Sequence, residues 1–271
     1  MQKFSLLMSI YIKENPAYLR ACIDSILAQT VLPDEIILCE DGPLTDELHA
    51  VIADWQAICP ALKILAFPEN RGLGKTLNDG LAACSYPLVA RMDTDDIAFP
   101  DRFERQLAAF EADPDLDLLS GQVLEIEGSI DNILRRKRLP VTHEEIVRYA
   151  ARRNPMNHPC VMYKKDTVLV AGSYQHVQWY EDYDLWARMI AMGAKTANID
   201  DFILYFRTGS DLYKRRGGFA YAKASVKARW RIHRHGVSSL YDFLYATAAQ
   251  VVVGLMPNSL RGKFYDKVLR K

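Results

Sequence analysis

Between Phe4 and Met92 the chain alternates short apolar runs with amphipathic stretches, and this rhythm restricts its fold more than any other feature. Phe4 to Tyr11, Glu35 to Cys39, Leu62 to Phe67 and Leu88 to Met92 are largely apolar runs of strand length, the pattern of strands covered on both faces. Asn15-Pro16 pairs an N-cap with a first-turn proline, and Tyr18, Leu19, Cys22, Ile23, Ile26 and Leu27 then recur with the helical period. Helices also read over Asp46 to Ile58 and Gly74 to Ala83. Strand and helix in turn predict right-handed βαβ units: an α/β fold with a mostly parallel sheet and helices on both faces. Such sheets bind ligands outside the carboxyl ends of their strands.

The second half is less regular. It reads as a helix from Asp101 to about Ala112, a strand near Leu116 to Leu124, and a basic hairpin or loop at Arg135 to Arg138. Thr142-His143-Glu144-Glu145 is a capping box for a helix through Ala150. A strand at Pro159 to Tyr163, a helix in Glu181 to Met192 and a strand at Ala197 to Phe206 follow. Beyond Gly217-Gly218, helical patterns cover Phe219 to His235 and Ser239 to Met256. The last is too short and interrupted for a membrane span, and its basic flanks suit a helix lying at an interface.

Charge divides the chain where the pattern changes. Residues 1–210 carry 21 Lys and Arg against 31 Asp and Glu, whereas residues 211–271 carry 13 against 3, so −10 is followed by +10. A tail of that kind is expected to meet phosphates or a membrane surface. The five cysteines are odd in number, widely spaced and without a C-x-x-C pair, which with the lack of a signal-peptide pattern indicates a reducing, cytoplasmic setting.

Two acidic turns directly follow strands: Glu40-Asp41-Gly42, and Asp93-Thr94-Asp95-Asp96 after the run Tyr86 to Met92. At strand ends of one sheet they are expected to share a cleft, where carboxylates hold a hard divalent cation such as Mg²⁺ or Mn²⁺ while leaving room for phosphate oxygens. Two glycine-rich motifs fail on spacing. Gly74-Lys75-Thr76 lacks the first glycine of a phosphate loop, since Glu69 stands there, and Gly72-Leu73-Gly74 meets Leu77 where a dinucleotide fingerprint needs glycine.

Four segments in order complete a pattern: Glu40-Asp41-Gly42, then Asn70-Arg71-Gly72 with Lys75 and Asn78, then Asp93 to Asp96, then Trp179-Tyr180-Glu181-Asp182-Tyr183-Asp184-Leu185-Trp186. Over residues 4–210 the chain resembles family 2 glycosyltransferases, inverting enzymes of the Rossmann-like GT-A fold. Within them it is similar to bacterial O-antigen and exopolysaccharide enzymes of the amylovoran-biosynthesis type. The resemblance implies that Asp95, with Asp93, holds Mn²⁺ or Mg²⁺ at the diphosphate of a UDP-sugar. It implies that Asp93 lies near the ribose, that Asp96 hydrogen-bonds the donor sugar, and that Asp41 reads the base with Arg71 beside it. Glu40 and Lys75 are counted on this donor side. Asp182, with Glu181 beside it, is implied as the general base. Trp186, four residues on and so on the same helix face as Asp182, is read as an apolar wall for a sugar ring. Many relatives carry a metal-binding His after the last strand, but here Arg207-Thr208-Gly209-Ser210 follows. Water in that position, with Lys214, Arg215 and Arg216 assisting the departing diphosphate, is the alternative.

Each motif also has a plain reading. Asp-x-Asp suits a solvated turn, Asp41-Gly42 and Asn70-Arg71-Gly72 are good turn sequences, and Glu181-Asp182 suits the first turn of any helix. Trp179 and Trp186 suit a core, His158 a structural role and Arg135 to Arg138 a solvated loop. The expectation is a catalytic domain over 1–210 and a basic amphipathic helical tail over 211–271. The activity expected is inverting transfer of a hexose, glucose or galactose favoured, from a UDP-sugar to a polyprenyl-diphosphate-linked saccharide. The place expected is the cytoplasmic face of a bacterial inner membrane, reached through the basic tail, with no nucleic acid as partner. A sugar nucleotidyltransferase is one rival, although Tyr11 to Pro16 holds no glycine-rich basic loop. A non-catalytic nucleotide-sugar-binding protein is the other.

Overall fold

The computed structural model describes residues 2–208 and 218–256. Its elements run β1 (Phe4–Ile10), α1 (Pro16–Leu27), β2 (Glu35–Glu40), α2 (Asp46–Ile58), β3 (Leu62–Ala66), α3 (Leu73–Ala83) and β4 (Leu88–Asp93). Then come β5 (Ile97–Ala98), α4 (Arg102–Ala112), β6 (Leu116–Glu127), β7 (Ser129–Lys137), α5 (His143–Ala150), a 3-10 turn (His158–Cys160), β8 (Met162–Lys164) and α6 (Lys165–Val170). The last are α7 (Glu181–Ala191), β9 (Lys195–Arg207), α8 (Phe219–Arg234) and α9 (Leu240–Leu255).

One nine-stranded sheet among the described residues has the order β3-β2-β1-β4-β8-β6-β9-β5, with β7 paired to β6. Strands β1 to β4 are mutually parallel neighbours. Strand β8 runs antiparallel to both β4 and β6, so β6 points the same way as the first four strands, as does its parallel partner β9. Strand β7, which pairs antiparallel with β6, and the edge strand β5 run against them.

Alternation along the strands feeds two apolar layers. Phe4, Leu6, Met8, Ile36 and Leu38 pack with α1, α2 and α4 through Leu19, Ile26, Trp55 and Phe103. Leu7, Ile37 and Cys39 face α3, α5 and α7 through Leu77, Ile146, Leu185 and Trp186. Helices therefore cover both faces, as the near-continuous apolar strands require.

Local signals place the helix starts. The Asn15 carboxamide accepts from the Ala17 N–H at 2.8 Å, and Thr142 with Glu145 forms the capping box of α5. Two expectations need correction. Pro159 sits in a 3-10 turn rather than a strand, where its missing N–H is tolerated, and the strand proper is Met162–Lys164. Arg135 to Lys137 extend a strand paired with β6, so the hairpin reading holds there and the loop reading does not. All five cysteines are unpaired.

Helices α8 and α9 form a hairpin. Tyr221, Ala228 and Ile232 of α8 close an apolar cluster with Tyr180, Tyr183 and Ala187 of α7. Among the described residues no helix is long and apolar enough to cross a membrane.

Candidate active site

The carboxyl ends of β2, β1 and β4 lie side by side, with Ile10 opposite Glu40 and Ser9 opposite Asp93. The two acidic turns thus leave one edge of the sheet. Asp41 is buried, and its carboxylate accepts from the Arg71 N–H at 2.7 Å, the Gly72 N–H at 3.1 Å and the Thr76 hydroxyl at 2.8 Å. The Asn70 carboxamide donates to the Asp41 carbonyl at 3.1 Å. Gly42 has φ +88°, and a Cβ there would stand 2.6 Å from the Asn70 nitrogen, so only glycine fits. Arg71 lies 3.8 Å over the Phe67 ring and pairs with Asp79 at 2.7 Å. Lys75 is exposed on the first turn of α3. Glu40 faces the other way, toward His49 of α2 at 3.9 Å.

Asp93, Asp95 and Asp96 each bring an oxygen within 4.8 Å of the others. Arg207 organises the turn: its N–H donates to Asp96 Oδ1 at 2.7 Å, and its Nε donates to the Asp95 carbonyl at 2.8 Å. Asp96 is fully buried, and its Oδ2 has no partner among the described residues. Burial, then the negative charges of Asp93 and Glu14, push the Asp95 carboxyl up to about 7. Burial with Asp95 and Asp93 raises Asp96 well above the ordinary carboxylate range. Crowded hard oxygens with one orphaned acceptor suit a divalent cation, which would offset their mutual repulsion.

Glu181 and Asp182 open α7. Asp182 accepts from its neighbour's N–H, Tyr183, at 2.7 Å and from the Asn154 carboxamide at 2.5 Å, yet burial raises its pKa. Burial and the Asp182 charge bring Glu181 up to about 7. A Cβ on Gly74 would stand 2.7 Å from the Gln175 carbonyl oxygen and 3.3 Å from Glu181 Cβ, so the first turn of α3 touches the start of α7. The charge of Asp93 reaches Glu181 and raises it further. The acidic turn and the start of α7 therefore face one region.

Arg91 lies beneath both. It is 1% exposed, ion-pairs with Asp93, and leaves Nε and Nη1 without partners among the described residues. Its positive charge lowers the pKa of Asp95, Asp96, Glu181 and Asp182. The sequence signal for it is a lone cation in an apolar strand two residues before Asp93, on the same strand face. Asn154 has no such signal, since only the fold brings it to Asp182.

Trp186 is fully buried in the layer beneath α7 and offers no wall to a ligand. His158 is buried against the Tyr174 hydroxyl at 3.1 Å, a structural contact. Gly209, Ser210, Lys214, Arg215 and Arg216 lie outside the described residues.

The profile of Glycosyl transferase family 2 matches residues 5–169. The chain is 43% identical over 265 residues to the amylovoran biosynthesis glycosyltransferase AmsE of Erwinia amylovora, covering 97% of this chain and 98% of that one. It is 38% identical over 269 residues to the UDP-Gal:alpha-D-GlcNAc-diphosphoundecaprenol beta-1,3-galactosyltransferase of Escherichia coli, covering 99% and 97%. Among solved structures it resembles the mannosyltransferase PcManGT of Pyrobaculum calidifontis in complex with GDP-Man and Mn²⁺. The TM-score is 0.68 at 17% identity, covering 100% of this chain and 81% of that one.

Proposed function

The chain belongs to glycosyl transferase family 2, and from that premise we propose that it transfers a hexose, galactose or glucose, from a UDP-sugar to a lipid-linked saccharide, with inversion. The names of the Erwinia and Escherichia relatives support a place in bacterial polysaccharide biosynthesis and a diphosphate-linked lipid acceptor. The observation that carries the reading is the gathering of the Asp93, Asp95 and Asp96 oxygens at the end of β4, with the start of α7 packed against the first turn of α3 on the same side of the sheet.

In this reading Asp182 takes the proton of the acceptor hydroxyl. Its raised pKa makes it a better base than a free carboxylate, and Asn154 fixes one of its oxygens. Glu181 lies beside it on the first turn of α7. Asp93 and Asp95 would hold Mn²⁺ or Mg²⁺, the free Oδ2 of Asp96 facing the metal or the donor sugar. When bound, the metal supplies Lewis-acid stabilisation of the leaving diphosphate. Asp41 shapes the base pocket by holding the 70–72 turn, and Arg71 and Lys75 flank it. Residues 1–210 form the catalytic domain, and 211–271 an appendage that rests on the cytoplasmic face of a bacterial membrane.

The test pairs two variants. Asp182→Asn is expected to keep the thermal stabilisation given by UDP with Mn²⁺, about 2.7 kcal/mol at a hundredfold excess over Kd, and to lose transfer at least about a hundredfold. Asp95→Ala is expected to lose the metal-dependent stabilisation as well. Wild-type activity in both variants sinks the assignment, and release of pyrophosphate instead of UDP identifies a nucleotidyltransferase.

A further inference from the structure

Two non-glycine residues among those described have left-handed backbone, Ser173 at φ 53° and Trp179 at φ 65°. Both lie in the segment joining α6 to α7. For a residue as bulky as tryptophan this conformation is costly. Burying the indole does not repay it, because Trp179 is 44% exposed.

The conformation is nonetheless held on both sides. The Tyr180 N–H donates to the Val177 carbonyl at 2.8 Å and closes the turn. Tyr221 of α8 sets its ring 5.4 Å from that of Trp179, and its hydroxyl accepts from the Tyr180 hydroxyl at 3.2 Å. Strain that is maintained by its surroundings while nearly half of the side chain stays exposed points to use by a ligand.

Position names the ligand. Trp179 stands two residues before Glu181 and three before Asp182, at the end of α7 where an acceptor hydroxyl must arrive. We propose that Trp179 is an acceptor-binding residue, its exposed indole face lying against the C–H face of the acceptor's saccharide ring. An indole offers a large rigid apolar surface for such a contact, and Trp186 cannot, being buried. The assignment rests on the glycosyl-transfer reading above.

Full-length Trp179→Gly, Trp179→Ala and Trp179→Phe are compared with the wild type. The donor is UDP-galactose with Mn²⁺, and the acceptor is a synthetic GlcNAc-diphosphate on a short alkyl chain. Glycine fits the left-handed backbone, so Trp179→Gly is expected to melt no lower than Trp179→Ala, both having lost the contact with Tyr221. The acceptor KM is expected to rise roughly tenfold or more in the glycine and alanine variants and to stay near wild type in the phenylalanine variant. The Kd of UDP with Mn²⁺ is expected to stay unchanged throughout. Wild-type turnover with an unmoved acceptor KM in Trp179→Gly overturns the assignment alone, as does a parallel loss of acceptor and UDP affinity. No wild-type turnover on this acceptor with either UDP-galactose or UDP-glucose overturns the assignment together with the reading it rests on.

Discussion

Arg91 is the residue on which the electrostatics of the site turn. A guanidinium at 1% exposure is expensive to desolvate, and among the described residues its ion pair with Asp93 leaves two nitrogens unpartnered. Its fixed positive charge lowers, in part, four carboxyls that burial raises. Removing it raises the pKa of Asp182 and Glu181, so the proposed base is protonated up to a higher pH. Arg91→Met is therefore expected to shift the acid limb of the kcat/KM profile upward, by about one pH unit for 1.4 kcal/mol of lost interaction. A profile measured from pH 5 to 9 with an unmoved limb would show that the charge is not felt at the base.

Among the elements, α7 works on two sides. Asp182 faces the site, while Asp184, fully buried, faces α8 and the preceding loop. Arg231 of α8 donates to it at 2.8 Å, Arg188 at 3.0 Å, and His235 lies at 3.6 Å. Arg231 also donates to the Gln175 side chain at 2.6 Å, tying the appendage to the loop that touches Gly74. Burial alone would raise the Asp184 carboxyl, but Arg231 and Arg188 outweigh it and hold it below the ordinary value. A carboxyl depressed in the folded state adds stability that is complete above its unfolded value and fades as pH falls through the folded one, below about pH 4. Asp184→Ala is expected to cost about 3 kcal/mol in urea unfolding at pH 7 and to flatten the acid side of the stability curve.

These elements show what the sequence could carry. The βαβ order, the caps at Asn15 and Thr142 and the strand ends at Glu40 and Asp93 are local or periodic properties, and they read correctly. Strand β5 is too short to show a period, and α6 spans fewer than two turns. Trp186 misleads because it shares a helix face with Asp182 one turn further inward, where that face has already entered the core. Asn154, Arg231 and Tyr221 reach the start of α7 only through tertiary packing.

At the scale of the whole molecule, the hairpin α8–α9 is bound inward by α7 and left open outward. Leu240, Tyr241, Leu244, Tyr245, Val252 and Leu255 of α9 are exposed at helical spacing, while Lys223, Lys227 and Arg234 are exposed on α8. An apolar face beside basic side chains suits the boundary of an anionic bilayer. Leu240→Glu with Leu244→Glu is expected to weaken co-sedimentation with phosphatidylglycerol-containing vesicles at least about tenfold, with UDP binding unaltered. Undiminished sedimentation would assign that face to something other than lipid. Deleting the hairpin would not be a clean test, because Arg231 and Tyr221 leave with it.

The stitching of Asp41 to residues 70–76 has a corollary for binding. Four hydrogen bonds and the glycine contact at position 42 fasten that side of the pocket before any substrate arrives. A rigid cradle forfeits little freedom on occupancy, so the proposed nucleotide donor is expected to bind with undiminished affinity in the absence of any saccharide acceptor.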